Sequence, residues 1–90
     1  MGQVADTMTE KLKAAFAPDS LNVIDETNQH HGHAAWKESG ETHFKVEITA
    51  ASFAGKSRVE RQRMVYQVLA ADLAGPVHAL ALVVRAPGEA

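Results

Sequence analysis

The ninety-residue sequence predicts a single α+β domain in the order α-β-β-α-β, with a three-stranded mixed sheet and its helices on one face. Three observations carry this expectation. Apolar residues recur at helical spacing near the start, positions 43–49 alternate with period two, and Ser57 with Glu60 forms a capping box that opens a second helix.

The first helix rests on Val4, Met8, Leu12, Ala15 and Phe16, with Glu10, Lys11 and Lys13 on other faces and Pro18 marking the exit. Leu21-Asn22-Val23-Ile24-Asp25 and the stretch from His43 then read as the two strands of a hairpin. In the second of these, Phe44, Val46 and Ile48 share one face while His43, Lys45, Glu47 and Thr49 share the other. About fifteen residues separate the strands, against roughly 2 to 5 in an ordinary hairpin loop. Loops of that length are usually functional or disordered.

The second helix starts near Ser57, whose hydroxyl and the Glu60 carboxylate reciprocally satisfy backbone donors. Its expected inward stripe is Val59, Gln62, Tyr66, Leu69, Ala70 and Leu73, with Arg58, Arg61 and Met64 pointing elsewhere and Gly75-Pro76 ending the helix. Met64 and Val68 lie off that stripe, either as a small contact surface or packed under the first helix. Val77 to Arg85 reads as a third strand. There His78, Leu80, Leu82 and Val84 share one face and Ala79, Ala81 and Val83 the other, a pattern of partial cover on both sides. A strand, a crossover helix and a strand imply a parallel pair with a right-handed connection. The domain is expected to span 1–90, with about 87–90 as a flexible polar tail.

Nine Lys and Arg face eleven Asp and Glu, for a formal net charge of −2, so any basic surface is local rather than protein-wide. The chain contains no cysteine, which excludes a disulfide scaffold, a Cys-type zinc site and thiol catalysis, and fits a reducing compartment. Met1 to Asp6 has neither a basic start nor an apolar run, and no segment approaches the roughly 20 apolar residues of a membrane span. The expectation is a soluble, cytoplasmic protein that makes no use of a membrane and is monomeric alone, because no long exposed apolar stripe demands self-association.

Five histidines, with His30, His31 and His33 crowded together, make imidazole the only soft metal-binding chemistry available. Any metal or cluster is therefore shared with another molecule or bound weakly. Adjacent histidines in a polar, glycine-containing loop are also commonly solvated surface, and His78 at a strand start reads equally as a hydrogen-bonded core residue. His43 reads as structural, hydrogen-bonded through Glu41 or Thr42, and Asp25 with Glu26 reads as a solvated pair. Lys56, Arg58, Arg61 and Arg63 against Glu60 give a local net charge of about +3 at a helix N-terminus, where backbone donors also favour anions. No nucleophile, phosphate loop or complete protein-borne metal site appears, so an enzyme is not expected.

Four ordered segments then give the chain a resemblance to the BolA family. They are Asp25-Glu26-Thr27 ahead of the loop with His30, Gly32 and His33; Glu41-Thr42-His43-Phe44; Phe53 with Gly55-Lys56-Ser57-Arg58-Val59-Glu60-Arg61-Gln62-Arg63-Met64-Val65-Tyr66; and Val77-His78-Ala79-Leu80. The resemblance covers nearly the whole chain. It implies a fold related to the type II K-homology domain, and partnership with a monothiol glutaredoxin of the Cys-Gly-Phe-Ser type in a heterodimer that shares a 2Fe-2S cluster. The work implied is iron-sulfur assembly, trafficking or iron regulation. The family's C-terminal ligand falls on His78 and its loop ligand falls among His30, His31 and His33, with His33 favoured and His30 next. Histidine rather than cysteine in the loop resembles the histidine-type subfamily. The chain departs from the family pattern at Asn28, where histidine is more usual, and at His31, where a small residue is.

The chemistry of such a site follows from its donors. Histidine replaces cysteine on one iron in Rieske centres and raises the potential. Two imidazoles from this chain leave the partner to supply thiolates, most simply one from the glutaredoxin and one from bound glutathione. The face of Lys56, Arg58, Arg61 and Arg63 helps to dock the glutaredoxin in this reading; some BolA-like proteins are described as transcriptional regulators, which makes DNA binding through the same four residues the alternative. Type II K-homology domains clamp nucleic-acid backbones with a Gly-X-X-Gly loop, and Gly55-Lys56-Ser57-Arg58 has only the first glycine.

Overall fold

The alternation along 43–49 dictates the centre of the molecule. The computed structural model describes residues 2–26 and 43–89. Within them the elements are α1 (Gln3–Phe16), β1 (Ser20–Asp25), β2 (His43–Thr49), a 3-10 turn (Ala51–Phe53), α2 (Arg58–Val68), α3 (Ala70–Ala74) and β3 (Ala79–Arg85). The sheet order is β1-β2-β3. β1 runs antiparallel to β2, and β3 runs parallel to it, as a hairpin followed by a crossover requires.

Register puts one apolar layer under the helices. Val46 lies opposite Val23 on one side and Leu82 on the other, and Ile48 lies between Leu21 and Val84. Phe44, Val46 and Ile48 are buried there with Ala5, Met8 and Leu12 of α1, Phe53, and Val65 and Leu69. Phe16 closes the end of the core by packing its ring 4.9 Å from that of Phe53. Ala15, expected on the inward face of α1, is exposed. α1 stops because Ala17 takes a left-handed conformation (φ 46°) whose N–H bonds to the Lys13 carbonyl, and Pro18 follows.

The crossover departs from expectation in two ways. It is broken at Leu69 into α2 and α3, where ψ of 16° departs from the helical value. Its inward face is also rotated: Val59 and Tyr66 are 56% and 39% exposed and Ala70 is exposed, while Val65 is fully buried and Met64 and Val68 pack against the core. The physical reason is Arg61. The positions that face the sheet are 61, 64, 65, 68 and 69, and a charged residue at the first of them hides the period from a hydrophobicity reading. Arg61 fits there because its head finds partners while its stem covers apolar surface.

The third strand is shorter than predicted, beginning at Ala79. Ala79 and Ala81 on its outer face are exposed and Val83 is half-buried, so the expected cover on both sides is absent over most of the strand. A tie between helices completes the frame: Lys11 Nζ of α1 lies 2.7 Å from Asp72 Oδ2 of α3, the one buried charged side chain among the described residues. A buried carboxylate is tolerated because it is paired.

Candidate functional site: the two ends of the sheet

Parallel pairing fixes where each candidate residue stands. His43, the first residue of β2, lies opposite Ala79, the first residue of β3, and Thr49 lies opposite Arg85. His78 therefore stands immediately before the sheet at the His43 end. The segment 27–42 starts and finishes at that same end, since the Glu26 N–H donates to the His43 carbonyl at 2.7 Å. His30, His31 and His33, with Glu41 and Thr42, lie outside the described residues. His78 is exposed and lies outside the strand, so it is not the buried strand histidine that sequence reading offered as the alternative to ligation. Its imidazole has no hydrogen-bond partner among the described residues. Among those residues no three His, Cys, Asp or Glu side chains gather as a metal site.

The cationic cluster belongs to the opposite end. Six residue steps along β3 separate the ends by about 20 Å. Gly55 makes the turn into α2 with φ +75°, a conformation glycine adopts without strain. The capping box then forms: the Glu60 N–H donates to Ser57 Oγ at 3.1 Å and the Ser57 N–H donates to Glu60 Oε1 at 2.7 Å. Those bonds, with the nearby Lys56 and Arg63 charges, hold the Glu60 carboxyl below its ordinary range. Lys56, Arg58 and Arg63 are exposed.

Arg61 differs from its neighbours. Its side chain is only 14% exposed, and all three of its nitrogens donate. Nε donates to the Lys56 carbonyl at 3.0 Å, Nη1 to the Val84 carbonyl at 3.3 Å, and Nη1 and Nη2 to the two Glu89 oxygens at 2.6 and 2.8 Å. Glu89 Oε1 accepts a further bond from the Ala86 N–H at 3.0 Å. The Arg61 hydrogen bonds, and then the Ala86 bond, pull the Glu89 carboxyl down to about 2. The expected +3 patch is thus reduced, because Glu89 neutralises Arg61, and the tail is anchored as far as Glu89. A groove of about 530 Å³ lies here, lined by Lys56, Arg58, Gln62, Arg85 and the 82–84 segment around the Arg61–Glu89 pair. Sequence reasoning missed Glu89; an acidic residue 28 positions away carries no local signal of pairing.

Fold and site together define a small α+β domain with a helix-covered mixed sheet, an imidazole at one end and a cationic groove at the other. The chain belongs to the BolA-like protein family, whose model matches residues 12–89. It is 38% identical to human BolA-like protein 1 over 99% of this chain and 62% of that one. It is 42% identical to the Escherichia coli DNA-binding transcriptional regulator BolA over 88% of this chain and 71% of that one. The solved BolA domain of SufE1 from Arabidopsis thaliana superposes with a TM-score of 0.89 at 38% identity, covering 100% of this chain and 99% of that domain. The chain spans a quarter (25%) of the full SufE-like protein 1 and about three fifths of the human protein. No described helix is long and apolar enough to cross a membrane.

Proposed function

We propose that this chain is a non-enzymatic partner of a monothiol glutaredoxin of the Cys-Gly-Phe-Ser type, sharing a 2Fe-2S cluster in iron-sulfur assembly, trafficking or iron regulation. The observation that carries the reading is the position of His78: exposed, without a hydrogen-bond partner among the described residues, and at the sheet end from which the histidine-bearing segment leaves and returns. The donor set fits half of such a site. A chain with no cysteine offers imidazoles alone, His78 with His33 or, next, His30, and leaves the thiolates to glutaredoxin and glutathione. The cluster supplies electron-transfer and iron-donor chemistry when bound. This chain's part is to present imidazoles, and because a ligating imidazole nitrogen must be free of its proton, cluster capture competes with protons.

The test is a titration of cluster-loaded glutaredoxin and glutathione with this protein, followed by visible absorption and circular dichroism. A change that saturates at one-to-one and is altered in the His33→Ala and His78→Ala variants supports the reading; no change and no complex removes it.

DNA binding is the second reading, favoured by the exposed Lys56 and Arg58 beside the Gly55 turn and by the similarity to the Escherichia coli DNA-binding transcriptional regulator BolA. Lys56, Arg58 and Arg63 contact phosphates in this reading, while Arg61 is already occupied by Glu89.

A further inference from the structure

The cationic end of the sheet carries more than exposed charge. β3 has β2 on one side and no strand on the other among the described residues. The Ala50 N–H donates to the Arg85 carbonyl at 3.0 Å, so the backbone groups of Arg85, Val83 and Ala81 point toward β2. Those of Val84, Leu82 and Leu80 point to the free edge, because the direction alternates along a strand. One of these outward groups, the Val84 carbonyl, already takes a bond from Arg61 Nη1. The same guanidinium holds a carboxylate in a two-pronged grip beside that edge, with the Ala86 N–H as a third donor. Such planar pairing is the geometry in which arginine recognises carboxylates. An anion seat, an open strand edge and the exposed cations Lys56 and Arg58 therefore line one groove.

We infer that this groove docks an acidic, extended segment of a protein partner, which adds as a strand along the Leu80–Val84 edge and places a carboxylate on Arg61 in place of Glu89. The observations favour a peptide over a nucleic-acid backbone on two counts. The outward N–H and C=O groups of Leu82 match a strand and offer nothing periodic to phosphates, and the bound group already in the seat is a carboxylate. Main-chain bonds supply affinity in strand addition and side-chain seats supply selectivity. Glu89 acts as a resident competitor. It lowers the apparent affinity by the fraction of time it occupies the seat. It also blunts an edge that otherwise invites unwanted pairing.

The test uses a fluorescein-labelled octapeptide alternating Glu and Thr, the same peptide N-methylated at every second backbone nitrogen, and a duplex DNA of mixed sequence. Each is titrated into the wild type, Glu89→Gln and Arg61→Gln, with the fold of each variant checked by circular dichroism. The unmodified peptide is expected to bind the wild type and to bind Glu89→Gln about five- to tenfold more tightly. The amide resonances of Leu82 and Val84 should shift. N-methylation and Arg61→Gln should each abolish binding. The inference is overturned if the N-methylated peptide binds as well as the unmodified one, if neither the wild type nor Glu89→Gln binds the peptide, or if Glu89→Gln tightens DNA and not the peptide. The N-methylation comparison is made on the wild type, so it decides the matter even where a variant is unstable. None of these outcomes bears on the imidazole end, about 20 Å away.

Discussion

His43 lies directly across the parallel ladder from Ala79, and this one pairing sets His78 beside the point where the histidine-bearing segment rejoins the sheet. An exposed residue outside the strand contributes little to packing. His78→Ala is therefore expected to change unfolding free energy by less than about 0.5 kcal/mol while altering the spectrum of the cluster that the proposed function has it share. Denaturant unfolding and the glutaredoxin titration, made on the same variant, check both halves.

The distance between the two ends makes the two proposed functions separable. Lys56→Ala with Arg58→Ala should lower the salt slope of duplex DNA binding by about 2 and leave the cluster titration unchanged. Fluorescence anisotropy across a salt series reads the slope.

Burial decides which residues of the crossover matter for stability. Leu69 is fully buried and Val59 is not. Leu69→Ala is expected to cost about 2–5 kcal/mol, and Val59→Ala less than about 0.5 kcal/mol, the reverse of an equal effect from the stripe that hydrophobicity suggests. Urea titration of the two variants distinguishes the faces.

Acid should reach the tail late. The Glu89 carboxyl titrates at about 2 in the folded chain against an ordinary 4.5, so the unfolded state binds this proton first. The stabilisation is fully present above about 4.5, and it is lost as pH falls through the folded value. Glu60, lowered by its capping bonds, acts in the same direction. Thermal melts of the wild type between pH 5 and about 2 should show this loss, and Glu89→Gln should remove the Glu89 share of it.

The N-cap predicts its own cost. Ser57→Ala removes the acceptor for the Glu60 N–H and is expected to cost about 1 kcal/mol. Guanidinium unfolding measures it.

Much of this was legible in the sequence because the signals were local. The alternation at Phe44, Val46 and Ile48, the capping box at Ser57, and the helical spacing of Met8 and Leu12 each act within a few residues. The element order and the mixed sheet followed from them, whereas the separation of the candidate residues to opposite ends came only with the parallel register of β2 and β3. The inward face of the crossover was not legible, because Arg61 occupies a core-facing position and its justification lies in Glu89 and the Val84 carbonyl. The break at Leu69 was also hidden, since Leu69 is a good helix former and no glycine or proline marks the site. His78 was legible as a candidate, while its exposure depended on where β3 begins.

The parallel pair also governs the order in which the molecule comes into being. Thirty-six positions separate His43 from Ala79, so joining β2 to β3 closes a long loop before the bonds of the ladder repay its entropy. The β1–β2 hairpin and the capped α2 need no such closure. Neither end of the sheet exists until β3 docks, because His78 and the Arg61–Glu89 seat are both positioned by that strand. A nascent chain halted before Val77 holds neither the His43–Ala79 pairing nor the Val84 carbonyl and Glu89 carboxylate that seat Arg61, so both pieces of geometry arrive together with the last strand.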